Sequence, residues 1–168
     1  MHLREERSCE ERTPEEKEGL KVLIIMYHSV LNARNGKYII SPAELENDLK
    51  YLKDNGYHTI TMGDLIAYVY DGKELPEKPV VLTFDDGCYN NYFYAFPMLS
   101  EYGMKAVISI VGEYTDKYTA SNIVNVNYSN LRWVDINMLM SSRSYRVSKP
   151  FLRYAYHQKQ KWCQKENV

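Results

Sequence analysis

The sequence has too few cysteines for a disulfide framework and no excess of positive charge. Its three cysteines (Cys9, Cys88 and Cys163) are odd in number, lie far apart and form no Cys-x-x-Cys pattern. Neither a set of disulfides nor a structural zinc site is therefore expected. Lysine and arginine total 21 against 22 aspartates and glutamates, a net charge of −1. Because no basic field exists to attract phosphates, we expect no nucleic-acid partner.

Long hydrophobic runs are also missing. The apolar stretches, such as Val22 to Met26, have the length of a strand, so no membrane segment is expected in this chain. Residues 1–20 are mostly charged, contain no hydrophobic core of a secretion signal, and are predicted to form a flexible arm. Either the protein stays inside the cell or its targeting segment is not in this chain, so the localisation stays open.

The most informative stretch is Val80–Gly87, in which a strand ends in two neighbouring carboxylates. Its first five residues are β-branched or apolar, which is typical of a strand buried on both faces. Asp85 and Asp86 follow, and Gly87 permits a sharp turn. In parallel α/β folds, ligands bind where strands end. The alternative is that Asp86-Gly87 is only a hairpin turn, but an aromatic, helix-like segment follows instead of a second alternating strand.

The rest of the chain alternates between strands and helices. We predict further strands at residues 21–28, 58–60 and 105–112, and helices that begin at the capping residues Ser41 and Thr61, at Asn91 and at Trp133. Residues 113–130 are rich in Asn, Ser and Tyr and are predicted to be a long polar loop. The order predicts parallel crossover units. His28 falls at the carboxyl end of the first strand and is therefore a candidate site residue.

The motif Thr83-Phe84-Asp85-Asp86-Gly87, followed by an aromatic helix with Pro97 and Leu99, resembles the first motif of the polysaccharide deacetylase family. These are the NodB-homology enzymes of carbohydrate esterase family 4. Two further segments are similar to that family, namely Tyr102–Ala106 and Met26–Val30. The resemblance covers residues 21–142. It implies the N-terminal half of a distorted (β/α) barrel and a hydrolase that removes acetyl groups from an N-acetylated polysaccharide.

The resemblance also implies residue roles. Asp86 would be a metal ligand, and Asp85 would be the base that takes a proton from the attacking water. The residues that would line the site are His28, Thr83, Gly87 and Tyr89. An amide carbonyl is a poor electrophile, and a divalent metal polarises it and lowers the pKa of bound water. Zinc is the metal implied, held by one carboxylate and two histidines.

The second motif of the family, a pair of histidines soon after residue 142, is absent. His157 is the only downstream histidine, has no partner at the required spacing and is not expected to be a ligand. Residues 143–168 have no clear periodicity and are predicted to be an aberrant tail. Reading the codons from Arg143 one nucleotide out of register can, with suitable third bases, give G-V-I-E-F-Q-N-H-S-Y-D-M-H-T. This hypothesis predicts a frameshift near Ser142–Arg143, which DNA sequencing of that region tests.

Three functions therefore stay open. The first is a metal-dependent polysaccharide N-deacetylase domain. The second is an inactive descendant that binds glycans or a partner protein through its cleft, since the histidine ligands are missing. The third is a magnesium-dependent phosphotransfer site, which is disfavoured because no phosphate-binding glycine loop is present. A half-barrel also leaves a sheet edge unpaired, which favours self-association.

Overall fold

The computed structural model describes residues 20–32 and 36–141, which form a parallel α/β unit. The strands are β1 (Leu23–Tyr27), β2 (Ser29–Val30), β3 (Ile39–Ile40), β4 (His58–Thr59), β5 (Pro79–Phe84) and β6 (Val107–Ile108). The helices are α1 (Pro42–Asp54), α2 (Met62–Asp71), α3 (Phe96–Tyr102), α4 (Gly112–Ser121) and α5 (Trp133–Ser141), with a π-helical turn at Asn91–Ala95 before α3. The predicted tail, His157, the frameshift position and nearly all of the predicted arm lie outside the described residues and stay predictions.

Strand β5 is the centre of the main sheet. It pairs with β1 from Val80 to Phe84 on one side, and on the other side with β4 near its beginning and β6 near its end. All three pairings are parallel, as the alternation of strands and helices predicts. The carboxyl ends of β1, β5 and β6 therefore lie at the same edge of the sheet, and this edge carries the candidate site.

The two faces of β5 pack against different layers. Val80, Leu82 and Phe84 are fully buried and face the apolar sides of α1 and α3. Val81, on the opposite face, is also fully buried and packs with Ile60 and Val107. The prediction of a strand buried on both faces is confirmed. Each such side chain contributes roughly 1.5–3 kcal/mol through burial, so β5 is the part of the sheet that packing holds most strongly.

The helix starts predicted from capping signals are confirmed. The Ser41 hydroxyl accepts the backbone N–H of Glu44 while the Glu44 carboxylate accepts the N–H of Ser41, and Pro42 fills the first turn. Thr61 and Asp64 form the same reciprocal box at the start of α2. In α1 the buried stripe consists of the three leucines that the helical spacing predicts: Leu45, Leu49 and Leu52. No helix in the described ranges is both long and apolar enough to cross a membrane.

The prediction that the first strand is buried is wrong for most of β1. Leu23, Ile24 and Met26 are 44%, 55% and 58% exposed, and only Tyr27 is buried. The reason is the topology of the sheet, because β5 is the only strand that pairs with β1 among the described residues. An apolar strand thus stands at an edge with part of its surface uncovered.

Two other predictions also need correction. Residues 113–130 are not one long loop, because α4 occupies Gly112–Ser121. This helix has almost no apolar stripe and is held instead by hydrogen bonds from Trp133, the first residue of α5. Trp133 Nε1 donates to Asp116 at 2.7 Å, and the Trp133 backbone N–H donates to Thr119 Oγ1 at 3.0 Å.

The strand predicted at residues 105–112 is shorter than expected, because only Val107–Ile108 pairs with β5.

Candidate active site

The two adjacent carboxylates lie directly after the last residue of β5. The backbone N–H of Asp85 donates to the Tyr27 carbonyl at 2.9 Å, which ties the beginning of the acidic pair to the end of β1. Asp85 is half-buried, and Asp86 is exposed to solvent. The two carboxyl groups are therefore neighbours in sequence but stand in different environments, which suits them to different roles.

The two residues after Asp85 have a left-handed backbone. Asp86 has φ +64° and Gly87 has φ +62°. The left-handed conformation costs a non-glycine residue roughly 1–2 kcal/mol, although aspartate tolerates it better than most. A Cβ atom at Gly87 would lie 3.0 Å from Ile110 Cγ2. Glycine at this position is required both by the turn and by the close approach of the chain that follows β6.

Residues 129–131 hydrogen-bond to the segment Asp85–Tyr89, which we call the acidic loop. Tyr89 N–H donates to the Ser129 carbonyl at 2.8 Å, and Leu131 N–H donates to the Gly87 carbonyl at 2.8 Å. The Asn130 side chain donates to the Asp86 carbonyl at 2.6 Å. These three bonds fix the backbone of Asp86 and its neighbours while leaving the Asp86 carboxylate outside the network.

His28 lies where β1 ends, next to the strand that carries the acidic pair. Its ring lies against Tyr38, with the ring centroids 4.9 Å apart. Its backbone carbonyl accepts the Asn91 Nδ2–H at 2.7 Å. The topology thus brings His28 to the same edge of the sheet as Asp85, as the sequence predicts. The asparagines that hold this edge were missed, since nothing in the sequence marks a side-chain-to-backbone contact sixty residues away.

The other predicted site residues are close by. Thr83 is half-buried in β5, and its backbone pairs with Met26 and Val107. Burial raises the pKa of Tyr89, and the carboxylate of Asp135 raises it further. Burial also raises the pKa of the Cys88 thiol to about 11, with the Asp86 carboxylate as the second cause. Cys88 therefore stays a neutral thiol at physiological pH, with none of the properties of an activated nucleophile.

The described residues do not supply a complete set of metal ligands. Within residues 20–32 and 36–141, no group of three or more His, Cys, Asp or Glu side chains converges as a metal site would require. Catalytic zinc sites use three protein ligands and keep one position open. The exposed carboxylate of Asp86 fits one such ligand, but the described donors stop short of the set that holds the ion.

The fold and the position of the acidic pair define a class: part of a parallel (β/α) barrel with an acidic site at the carboxyl end of a central strand. Residues 72–143, which include the whole Thr83–Gly87 motif, match the polysaccharide deacetylase family. The solved structure of a de-N-acetylase from Aggregatibacter actinomycetemcomitans superposes with a TM-score of 0.64 at 27% identity, over 75% of this chain and 53% of that one.

Sequence relatives point the same way. YxkH of Bacillus subtilis strain 168, a protein provisionally named as a polysaccharide deacetylase, is 40% identical over 93 residues, covering 55% of this chain and 33% of YxkH. The poly-β-1,6-N-acetyl-D-glucosamine N-deacetylase of Escherichia coli strain K12 is 34% identical over 94 residues, covering 55% of this chain and 14% of that protein. The chain thus spans only part of each relative. Over the matching segment it is similar to part of a polysaccharide deacetylase domain of the NodB type.

Proposed function

We propose that this chain carries the acidic half of an N-deacetylase site for a glycan that contains N-acetylglucosamine. The observation that carries the proposal is the Asp85–Asp86 pair at the end of the central strand, inside the segment that matches the family. The relative from Escherichia coli acts, by its name, on poly-β-1,6-N-acetyl-D-glucosamine. That polymer is therefore the first substrate class to test.

The two carboxylates take separate roles in this proposal. Half-buried Asp85, fixed through its backbone to β1, accepts the proton of the water that attacks the acetamide carbonyl. The carbon–nitrogen bond then breaks, acetate leaves, and the nitrogen takes up a proton to give the free amine. Exposed Asp86 is the carboxylate available to a divalent cation. Because the donor set is incomplete among the described residues, we assign no step to the ion and expect weak zinc binding.

Three variants test these roles by acetate release from oligomers of β-1,6-linked N-acetylglucosamine. We expect slow release by the unchanged chain, and a loss of roughly 100-fold or more in Asp85→Asn because the general base is removed. Asp86→Asn should abolish both the release and the heat of zinc binding in calorimetry. Asp71→Asn, at the exposed end of α2, is the matched control and should change neither.

The outcomes separate the open functions. Release that persists in Asp85→Asn would contradict the role of Asp85 as the base. Rapid release by the unchanged chain would show that residues outside the described ranges complete the site. Binding of the oligomer without any release would favour the alternative of a glycan-binding domain that has lost catalysis.

A further inference from the structure

Two adjacent asparagines bind the end of β1 and the beginning of β2. Asn90 accepts the Val30 N–H at 3.1 Å and donates to Ser29 Oγ at 2.9 Å. Asn91 donates to the His28 carbonyl at 2.7 Å. Three consecutive residues are thus held by side chains that begin the segment after the acidic loop. The Asp85 N–H donates to the carbonyl of Tyr27, the residue just before them, so residues 27–30 are bound from both ends of the segment Asp85–Asn91.

The buried side chain of Asn91 carries a polar atom that a nonpolar residue of the same size would not have to bury. Its side chain is 0% exposed, and its Oδ1 atom has no hydrogen-bond partner among the described residues. A buried acceptor without a donor costs about 1–3 kcal/mol, which a leucine of similar size would avoid. What asparagine adds over leucine at this position is the Nδ2–H that binds the His28 carbonyl.

The backbone around Asn91 is also unusual. Asn91 is the first residue of the π-helical turn, and its carbonyl accepts the N–H of Phe96. Such turns are rare and are frequently found at functional sites. Here the wider turn lies beside the carboxyl end of β1, which is where the Asn91 amide makes its contact.

We propose that Asn91 is a positioning residue, which fixes the end of β1 through the His28 carbonyl so that the His28 imidazole stays at the edge that carries Asp85 and Asp86. This inference rests on the proposed function only in naming that edge as the deacetylase site. The side-chain hydrogen bonds of Asn90 go to Ser29 and Val30, whereas that of Asn91 goes to His28. The two neighbouring asparagines therefore have separable effects.

The test measures the reactivity of the His28 imidazole in the full chain. Diethyl pyrocarbonate modifies accessible imidazoles, and mass spectrometry gives the rate for each histidine, with exposed His58 as the internal reference. In Asn91→Leu we expect the modification rate of His28 relative to His58 to rise about fivefold. The reason is that the segment around His28 opens more often once its carbonyl has lost the hydrogen bond from Asn91. Asn90→Asp keeps an acceptor for Val30 and should leave the ratio unchanged. Asn47→Leu, on the exposed face of α1, controls for the substitution itself.

An unchanged ratio in a folded Asn91→Leu protein would overturn the proposal, as would an equal rise in Asn47→Leu. Should Asn91→Leu fail to fold, exchange of side-chain amide protons in the unchanged chain decides the matter by nuclear magnetic resonance. We then expect the Asn91 carboxamide to exchange at least about tenfold more slowly than that of Asn47, and equal rates would overturn the inference. Neither readout depends on turnover, so a failed acetate assay counts only against the proposed function.

Discussion

Gly87 combines two constraints that other glycines of the chain carry separately. Its φ is +62°, and an added Cβ would meet Ile110 Cγ2 at 3.0 Å. Gly56 also has a positive φ, +72°, but nothing lies within 4 Å of its Cβ position. The pair therefore separates the cost of the backbone conformation from the cost of the close contact.

We expect Gly56→Ala to lower the free energy of unfolding by about 1 kcal/mol, which is the cost of a left-handed alanine. Gly87→Ala should cost about 1–3 kcal/mol more, because Ile110 or the acidic loop must move. Urea denaturation of the two variants beside the unchanged chain measures the difference. Equal losses would mean that the loop adapts without strain and that Ile110 does not constrain it.

At the residue scale, local sequence patterns predict which side chains lie at the site, but not the distant residues whose hydrogen bonds hold them in place. The acidic pair and the turn at Gly87 are local features, and the structure has Asp85, Asp86, Gly87 and Tyr89 in one loop. The roles of these side chains stay predictions. Asn130 and Asn91 were missed, because each holds a backbone carbonyl far away in sequence, and only the folded topology brings donor and acceptor together.

Capping explains why two helix starts were predictable and a third was not. Each capping box, Ser41 with Glu44 and Thr61 with Asp64, involves residues only three positions apart, so the sequence alone reveals it. Helix α4 has no side-chain cap at its start and buries only Thr115. Its stability comes from Trp133 and other contacts outside the helix, which a periodicity search does not detect. The one local signal was Asn122, which ends the helix in the left-handed conformation.

The box at the start of α2 predicts a pH dependence. The pKa of Asp64 is lowered, first by the hydrogen bond from the Thr61 backbone, so the folded state binds this proton less tightly than the unfolded chain does. Stability from the ionised group is then present above the unfolded value of 3.8 and is lost as the pH falls through the lower, folded pKa. Because the group is partly exposed and screened, we expect only about 0.5 kcal/mol.

Asp64→Asn measures this contribution. The difference in unfolding free energy between the unchanged chain and the variant should be constant near neutral pH and should shrink in the acid range below the unfolded pKa. Glu74→Gln, in the exposed connector before β5, is the control and should show no such trend. A difference that grows on acidification would contradict the assignment of the lowered pKa to the cap.

For the whole molecule, the order of strands and helices predicted parallel crossover units, and the resemblance to the deacetylase family implied a partial (β/α) barrel. This fold class is confirmed. The burial of β1 was not predictable in the same way. Its composition is that of an interior strand, but whether such a strand is covered depends on what pairs with its second edge. No partner for that edge exists among the described residues, which leaves Ile24 and Met26 in solvent.

The open edge of β1 predicts self-association. Natural edge strands are commonly protected by charged residues, and β1 contains none. We expect the chain to form dimers or larger species with rising concentration in sedimentation velocity experiments, and the double variant Ile24→Lys/Met26→Lys to remain monomeric. Val69→Lys removes an apolar side chain that is 64% exposed on α2 and should leave association unchanged. A monomeric unchanged chain at every concentration would contradict the prediction.

The parallel register between β1 and β5 also affects how the chain folds during synthesis. Ile25 pairs with Leu82, so β1, the first strand to be synthesised, has no partner strand in the sheet until about half of the described chain has been translated. At typical elongation rates this delay lasts on the order of seconds, far longer than local helix formation takes. We therefore expect the nascent Leu-Ile-Ile-Met-Tyr segment to stay unpaired during that interval, whereas the capping contacts that begin α1 lie entirely within Ser41–Glu44 and do not depend on β5.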